Sequence, residues 1–275
     1  MIKIEHLSKK FHLRSKNVLN DITIDFEQGT YGLLGENGAG KTTLIRCITG
    51  MYSNYKGTIS FDTNNKLIGY LPQSFGAFKE LTVYEMMLFF ANQKELKLKD
   101  ISPIINEIIE TVNLSDKLNT KVGRLSGGMV RRLGIAQALL GNPDVLVFDE
   151  PTAGLDPEER LRFKNVIEKV KKDKTIIIST HIVEDVEALC DKIAIVNEGT
   201  IVKCSKASEI KLIANSKVFE VPASKLPSIS EPSEIIKQVQ KDDELYYRVL
   251  AQGIDSNYLV EPTIEDGFLC AVKNI

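Results

Sequence analysis

No stretch of this 275-residue chain approaches the roughly 20 apolar residues that a helix needs to cross a bilayer, so no membrane-spanning helix is expected. The N-terminus, Met1-Ile2-Lys3-Ile4-Glu5, lacks the charged segment and following apolar core of a secretory signal. An excess of either charge is missing as well. The 35 Lys and Arg against 37 Asp and Glu leave a net charge of −2, which supplies no attraction along a nucleic-acid backbone. No nucleic-acid partner is therefore expected. Cysteine is sparse: Cys47, Cys190, Cys204 and Cys270 are far apart and form no metal-like pair. Together with the missing signal they suggest free thiols in a reducing compartment, hence a cytoplasmic location. Internal repeats and low-complexity tracts are also absent. The one dense basic run, Lys169 to Lys174, is interrupted by Val170 and Asp173 and falls where a helix should end. It is expected to be a solvated last turn facing the negative end of the helix dipole.

What is present alternates strand and helix signals, the pattern of an α/β fold. Tyr31-Gly32-Leu33-Leu34 reads as a short buried strand entering a glycine-rich turn, with a helix from Lys41 to about Thr49. Val145 to Phe148 and Ile176 to Ile178 are apolar runs suited to buried parallel strands. Ile193 to Val196, the turn Asn197-Glu198-Gly199-Thr200 and Ile201-Val202 read as a strand and its return. Ile101, Ile104, Ile105, Ile108, Ile109 and Val112 follow the spacing of an amphipathic helix. Another such helix should follow Asp156-Pro157, with Phe163, Val166, Ile167 and Val170 on one face and Glu158 and Glu159 at the positive end. After about residue 215 Pro222, Pro227 and Pro232 interrupt the chain. Short strand-like runs such as Leu245 to Leu250 take over, and this part is expected to be a small α+β appendage.

Gly35-Glu36-Asn37-Gly38-Ala39-Gly40-Lys41-Thr42 has the G-x-x-x-x-G-K-[ST] pattern, with a strand before it and a helix after. Small residues let backbone N–H groups curl around phosphates, and the helix start turns free N–H groups and its positive dipole end to the same anion. Lys41 can reach the β- and γ-phosphates, and the Thr42 hydroxyl can ligate magnesium. A chance match is expected in about one chain in a hundred of this length, and the strand–helix context lowers that further. The expected ligand is ATP with magnesium.

The strand Val145 to Phe148 ends in Asp149-Glu150. Strand ends of a parallel sheet face the ligand crevice, so Asp149 is expected to hold magnesium and Glu150 to act as general base on the attacking water. The competing reading, surface acids at a strand end, loses weight in a chain with a phosphate loop. His181 follows the strand Ile176 to Ile178 and falls at the same edge, within reach of the γ-phosphate or the water. His6 and His12 have no such setting.

Leu125-Ser126-Gly127-Gly128-Met129 precedes a helix expected from about Val130 to Leu140. Ser126 reads as an N-cap, yet a capped helix needs no Gly-Gly after the cap, since glycine weakens the first turn. Two glycines make sense where another group approaches the helix start, so that N–H groups and the Ser126 hydroxyl meet an anion.

With these residues in view, the chain resembles a nucleotide-binding subunit of an ATP-binding cassette (ABC) transporter. The phosphate loop resembles the family's Walker A element, Leu125 to Met129 its LSGGQ signature, and Val145 to Glu150 its Walker B with catalytic glutamate. Gln73 resembles the Q-loop glutamine, a magnesium ligand that links the site to the membrane partner. Ala153-Gly154-Leu155-Asp156 resembles the D-loop and His181 the switch histidine. Phe11 matches the aromatic position that stacks on adenine, and a core aromatic is its other reading. Asp156 is also suited to cap the following helix. Met129 departs from the family's usual Gln and removes an amide's hydrogen bonds; Ala153 replaces a Ser.

The resemblance implies a mixed sheet with an antiparallel β subdomain and a helical subdomain of about residues 75–140, in an ATP-binding domain of residues 1–214; residues 215–275 are the appendage. It implies Glu150, His181 and Gln73 as catalytic residues and Thr42, Gln73 and Asp149 at the metal. Nucleotide contacts are implied for Phe11, Gly35, Glu36, Asn37, Gly38, Ala39, Gly40, Lys41, Thr42 and Thr43. Ser126, Gly127 and Gly128 would complete the site of a second nucleotide-binding subunit, identical or related, in a head-to-tail dimer, and Asp156 is a further implied nucleotide contact. A separate transmembrane permease, contacted through Ser74 to Phe90, is the other expected partner, with the chain peripheral on the cytoplasmic face of the membrane. The tail Glu261 to Leu269 resembles the "PT-x-ED-x-FL" ending of exporter-type cassette subunits; its other reading is a capped last helix, with Thr263 as cap. The expected function is ATP hydrolysis that drives transport, with export favoured. A cassette ATPase of DNA repair or translation is the alternative, but the long coiled-coil insertions or tandem cassettes usual there are absent.

Overall fold

Apolar runs that read as continuous in the sequence are divided by the structure between two faces of one sheet. The computed structural model describes residues 1–11, 16–63, 67–96, 99, 101–228, 234–241, 244–252, 254 and 256–275; His12 and Pro232 lie outside them. The first part forms β1 (Ile2–Lys9), β2 (Leu19–Phe26), β3 (Gly29–Leu34), α1 (Lys41–Ile48), β4 (Lys56–Phe61) and β5 (Ile68–Leu71). Helices α2 (Val83–Gln93), α3 (Ile101–Thr111) and α4 (Gly127–Leu139) follow. Strand and helix then alternate through β6 (Val145–Asp149), α5 (Pro157–Val170), β7 (Thr175–Thr180), α6 (Val183–Leu189), β8 (Lys192–Asn197), β9 (Thr200–Ser205) and α7 (Ala207–Ile213). The C-terminal part contributes β10 (Val218–Pro222), β11 (Glu234–Lys241), β12 (Glu244–Leu250) and α8 (Ile264–Lys273).

The central sheet has the order β5-β6-β7-β3-β8-β9. Its first five strands are parallel, and β9 returns antiparallel to β8. Because side chains alternate along a strand, Leu146, Phe148, Ile176 and Ile178 join a core with α2, α3, α4 and α5. Val145, Val147 and Ile177 face the other way, into a core with α1 and the antiparallel sheet β2-β1-β4. Burial on both faces explains why β6 and β7 show no polar alternation. The predicted mixed sheet, antiparallel β sheet and helical group are all present.

Pro157 and the capping Asp156 start α5, and the basic run lies at its end as expected, with Lys171 as C-cap. One boundary differs from the sequence reading. The helix predicted from Val130 starts at Gly127, so both glycines lie in the first turn of α4 rather than before it. The Ser126 hydroxyl accepts from Met129 N and supplies the start signal. Gly128 has an internal reason as well: a Cβ there would come within 2.9 Å of the Glu159 carboxyl carbon on α5.

The sheet β10-β12-β11 is antiparallel and carries a small core of its own around Phe219, Val221 and Val249. By contrast α8 docks through Ile264 and Phe268 on Ile210 of α7 and on Ile193 and Ile195 of β8. Thr263 caps α8 in a box with Asp266. Asp266 is fully buried and paired with Arg248 of β12 at 2.6 Å. No helix among the described residues is long and apolar enough to cross a membrane.

Candidate active site

Strand register assembles the site. Leu34 at the end of β3 is opposite Thr180 at the end of β7, and Asp149 at the end of β6 is opposite Ser179. The residues just past these ends, the loop from Gly35, Glu150 and His181, therefore meet at one sheet edge. This is the crevice that open parallel sheets use for ligands.

The loop turns into α1 at Gly40, whose φ of +109° strains any residue with a side chain. Glu36, Asn37 and Gly38 are exposed, whereas Gly35, Ala39, Gly40 and Lys41 are buried. Lys41 Nζ donates to the carbonyls of Gly35 (2.7 Å) and Glu36 (3.1 Å) and lies 3.7 Å from Glu150 Oε1. Burial pushes the Lys41 ammonium below its usual range, while Glu150 and Asp149 oppose that shift. Thr42 and Thr43 follow on the first turn of α1, half-buried.

Asp149 is 1% exposed. Its Oδ1 accepts from Thr42 Oγ1 at 3.2 Å and from Ser179 Oγ at 2.5 Å, and its Oδ2 has no partner. A buried carboxylate oxygen without a partner is costly unless something positive binds there. With the Thr42 hydroxyl beside it, this hard-oxygen donor set fits magnesium. Glu150 has a positive φ of 50°, and its N–H donates to both the backbone and side-chain oxygens of Ser179. That backbone, sparsely populated for a non-glycine residue, aims the carboxylate across the sheet edge. Its Oε2 lies 3.0 Å from His181 Nδ1.

Gln73 shares the site through its backbone. Its side chain is exposed, and its carbonyl accepts from Arg131 Nη1 at 2.8 Å. Phe11 is exposed and meets Tyr52 edge to face at 5.4 Å, with Lys9 Nζ about equally close to both rings at 5.4 and 5.3 Å. It is thus a surface aromatic and not a core one. Asp156 is exposed and its Oδ1 accepts from Glu159 N at 2.8 Å, the capping interaction. Ser126 and Gly127 are exposed, Gly128 is half-buried, and a Cβ on Gly127 would touch nothing within 4 Å. Among the described residues no hydrogen bond joins this segment to the phosphate loop.

The sequence reading missed Ser179, which holds both acids, and Arg131, which binds the backbone behind them. Ser179 had one available signal: it precedes His181 by two positions on the same strand end. Arg131 had none, since an arginine on a helix says nothing of its partners.

Fold and site together define a P-loop ATPase. The family model described as "ABC transporter" matches residues 19–153. The Nod factor export ATP-binding protein I of Burkholderia lata is 37% identical over 209 residues, 72% of this chain and 68% of that protein. The methionine import ATP-binding protein MetN 1 of Bacillus thuringiensis subsp. konkukian is 28% identical across 100% of this chain and 89% of that one. Among solved structures, cbiO1 of Clostridium perfringens, part of the ABC transporter complex cbiONQ, aligns with a TM-score of 0.67 and 26% identity over 76% of this chain and 89% of that chain. The chain belongs to the ATP-binding subunits of ABC transporters. It is an ATPase that acts with transporter subunits.

Proposed function

We propose that this chain hydrolyses magnesium ATP at the edge formed by Lys41, Asp149, Glu150 and His181, within a head-to-tail dimer. The observation that carries the reading is the pair of contacts on Glu150: Oε2 bonds His181, and Oε1 faces Lys41. Backbone N–H groups of Gly35 to Thr43 and the Lys41 ammonium bind the β- and γ-phosphates. Lys41 turns from its carbonyl partners and from Glu150 Oε1 to phosphate oxygens, and Oε1 is then free to accept a proton from the water attacking the γ-phosphorus. His181 holds the carboxylate in that orientation. Thr42, Asp149 and Gln73 would hold the magnesium, which neutralises phosphate charge when bound. Phe11 stacks on the adenine.

Ser126, Gly127 and Gly128 face the nucleotide of a second subunit, a copy of this chain or a related one, and Asp156 is a further nucleotide contact. The exposure of Ser126 and Gly127 and the open space at Gly127 support this reading. A separate permease docks on Ser74 to Phe90, where Phe78 is 54% exposed beside Phe89 and Phe75 lies against Phe90. Through it the chain is held on the cytoplasmic face of the membrane. Residues 1–214 form the ATP-binding domain and 215–275 an accessory one. The exporter-like tail and the Nod factor export relative favour export, while the methionine import relative stands on the other side.

Glu150→Gln tests the core of this reading. The variant should bind ATP, stop releasing phosphate and elute as a nucleotide-loaded dimer in gel filtration. Wild-type turnover in the variant would remove Glu150 from the reaction.

A further inference from the structure

The side chain of Arg131, on the second turn of α4, binds two separate segments of the site from behind. Nε donates to Pro151 O at 3.0 Å, and Nη1 donates to Pro72 O at 3.2 Å and Gln73 O at 2.8 Å. Nη2 donates to Asp149 O at 3.1 Å and to Glu150 O. All these acceptors are backbone carbonyls, and no ion pair among the described residues includes Arg131. One guanidinium thus ties the stretch carrying Gln73 to the stretch carrying Asp149 and Glu150. Its planar fork of donors allows this, whereas an ammonium on a flexible stem cannot span both segments in fixed geometry.

Ser126, the N-cap of the same helix, lies five residues earlier, on one continuous ladder of i to i−4 hydrogen bonds. The neighbouring Arg132 fastens α4 to the helical group: it donates to Val112 O and Asn113 O and lies 3.1 Å from Glu159 of α5. A displacement of the α4 start therefore has a short route through Arg131 to the backbone of Glu150, a residue held at the strained positive φ of 50°.

We propose that Arg131 is a positioning residue that couples the signature end of α4 to the Gln73 and Glu150 backbone of its own chain, so that a nucleotide bound between one subunit's phosphate loop and its partner's signature sets the catalytic carboxylate of the partner's own site. This rests on the head-to-tail reading above. In that arrangement Arg131 joins the two nucleotide sites of the dimer, and the coupling is carried by an element both sites touch, as a physical coupling requires.

The test uses the full chain with Arg131→Lys, which keeps the charge but not the bridge, and Arg131→Gln, which keeps one amide donor. ATP turnover is measured as a function of ATP concentration, beside thermal melting and nucleotide affinity. The expected result is a kcat lowered roughly 10- to 100-fold, the scale of a small misplacement of a reacting group. KM should stay within about threefold, since Arg131 touches no phosphate-loop atom. The Hill coefficient should fall to about 1, below that of the wild type. Unchanged kcat, or a lowered kcat with the wild-type Hill coefficient, overturns the proposal. A lowered melting temperature with full kcat assigns Arg131 to stability alone and also overturns it. Arg131→Gln is the deciding variant should Arg131→Lys fail to fold. Glu150→Gln run alongside separates the two readings: turnover in that variant sinks the site assignment, whereas a dead Glu150→Gln with an unaffected Arg131 pair sinks only this proposal.

Discussion

His181 Nδ1 lies 3.0 Å from Glu150 Oε2, with Glu150 5% exposed and the His181 side chain 46% exposed. The contact joins a buried carboxylate to a ring that solvent, nucleotide or a partner subunit can reach. It gives the carboxylate one fixed oxygen and leaves the other, Oε1, toward Lys41 at 3.7 Å.

His181→Ala removes the fixed oxygen's partner and leaves the phosphate loop intact. Turnover should fall by about 10²-fold, the low end of what a positioned acid–base group supplies. ATP affinity measured by titration should change less than about threefold, because the phosphate contacts remain. A comparable loss of affinity would place His181 in nucleotide binding instead.

Asp149 keeps one oxygen bonded and one without a partner inside the protein. Asp149→Asn preserves the shape but removes the charge that a hard divalent cation needs. The wild type should bind ATP more tightly with magnesium than with EDTA, and the variant should show little difference between the two. Equal magnesium dependence in both proteins would locate the cation elsewhere.

Arg248 and Asp266 form the buried ion pair of the C-terminal part, at 2.6 Å and 8% and 0% side-chain exposure. Arg248 also bonds Glu220 at 2.7 Å and the Glu261 carbonyl at 2.8 Å. Burial alone would raise the Asp266 pKa. The Arg248 pair and the Thr263 cap outweigh it and hold the carboxyl below its ordinary 3.8. A depressed carboxylate stabilises the fold above its unfolded pKa, and that contribution is lost as pH falls below about 3.8 toward the folded value. Arg248→Met leaves Asp266 buried with its Thr263 cap but without a cation. It should cost about 3–5 kcal/mol in urea unfolding and move the acid-unfolding midpoint to higher pH. An unchanged acid midpoint would mean that Asp266 is held by its cap alone.

Much of this was legible because the signals are contiguous. The phosphate loop needs a fixed order of small residues, Lys and Thr between a strand and a helix, and Gly35 to Thr42 supplies it within one short stretch. Asp149-Glu150 and His181 could be placed at one edge because each follows an apolar run long enough for a buried strand. Even the cap of α8 was readable, since Thr263 and Asp266 are three positions apart. The α4 boundary was misplaced because Gly-Gly weakens a helix start on propensity, while in the folded chain the Ser126 cap prevails and Glu159 leaves no room for a side chain at Gly128.

The sequence by itself determined the local chemistry of the loop, the acid-bearing strand end and the family, because each depends on neighbours along the chain. Only the tertiary structure decided which of these meet. The order β6-β7-β3 and the register of Asp149 with Ser179 and of Leu34 with Thr180 bring three strand ends to one edge. The reach of Arg131 to carbonyls at 72–73 and 149–151, and of Arg248 to Asp266, depends on side chains crossing between elements far apart in sequence. No spacing rule encodes such a crossing; it follows from which faces the two cores bury.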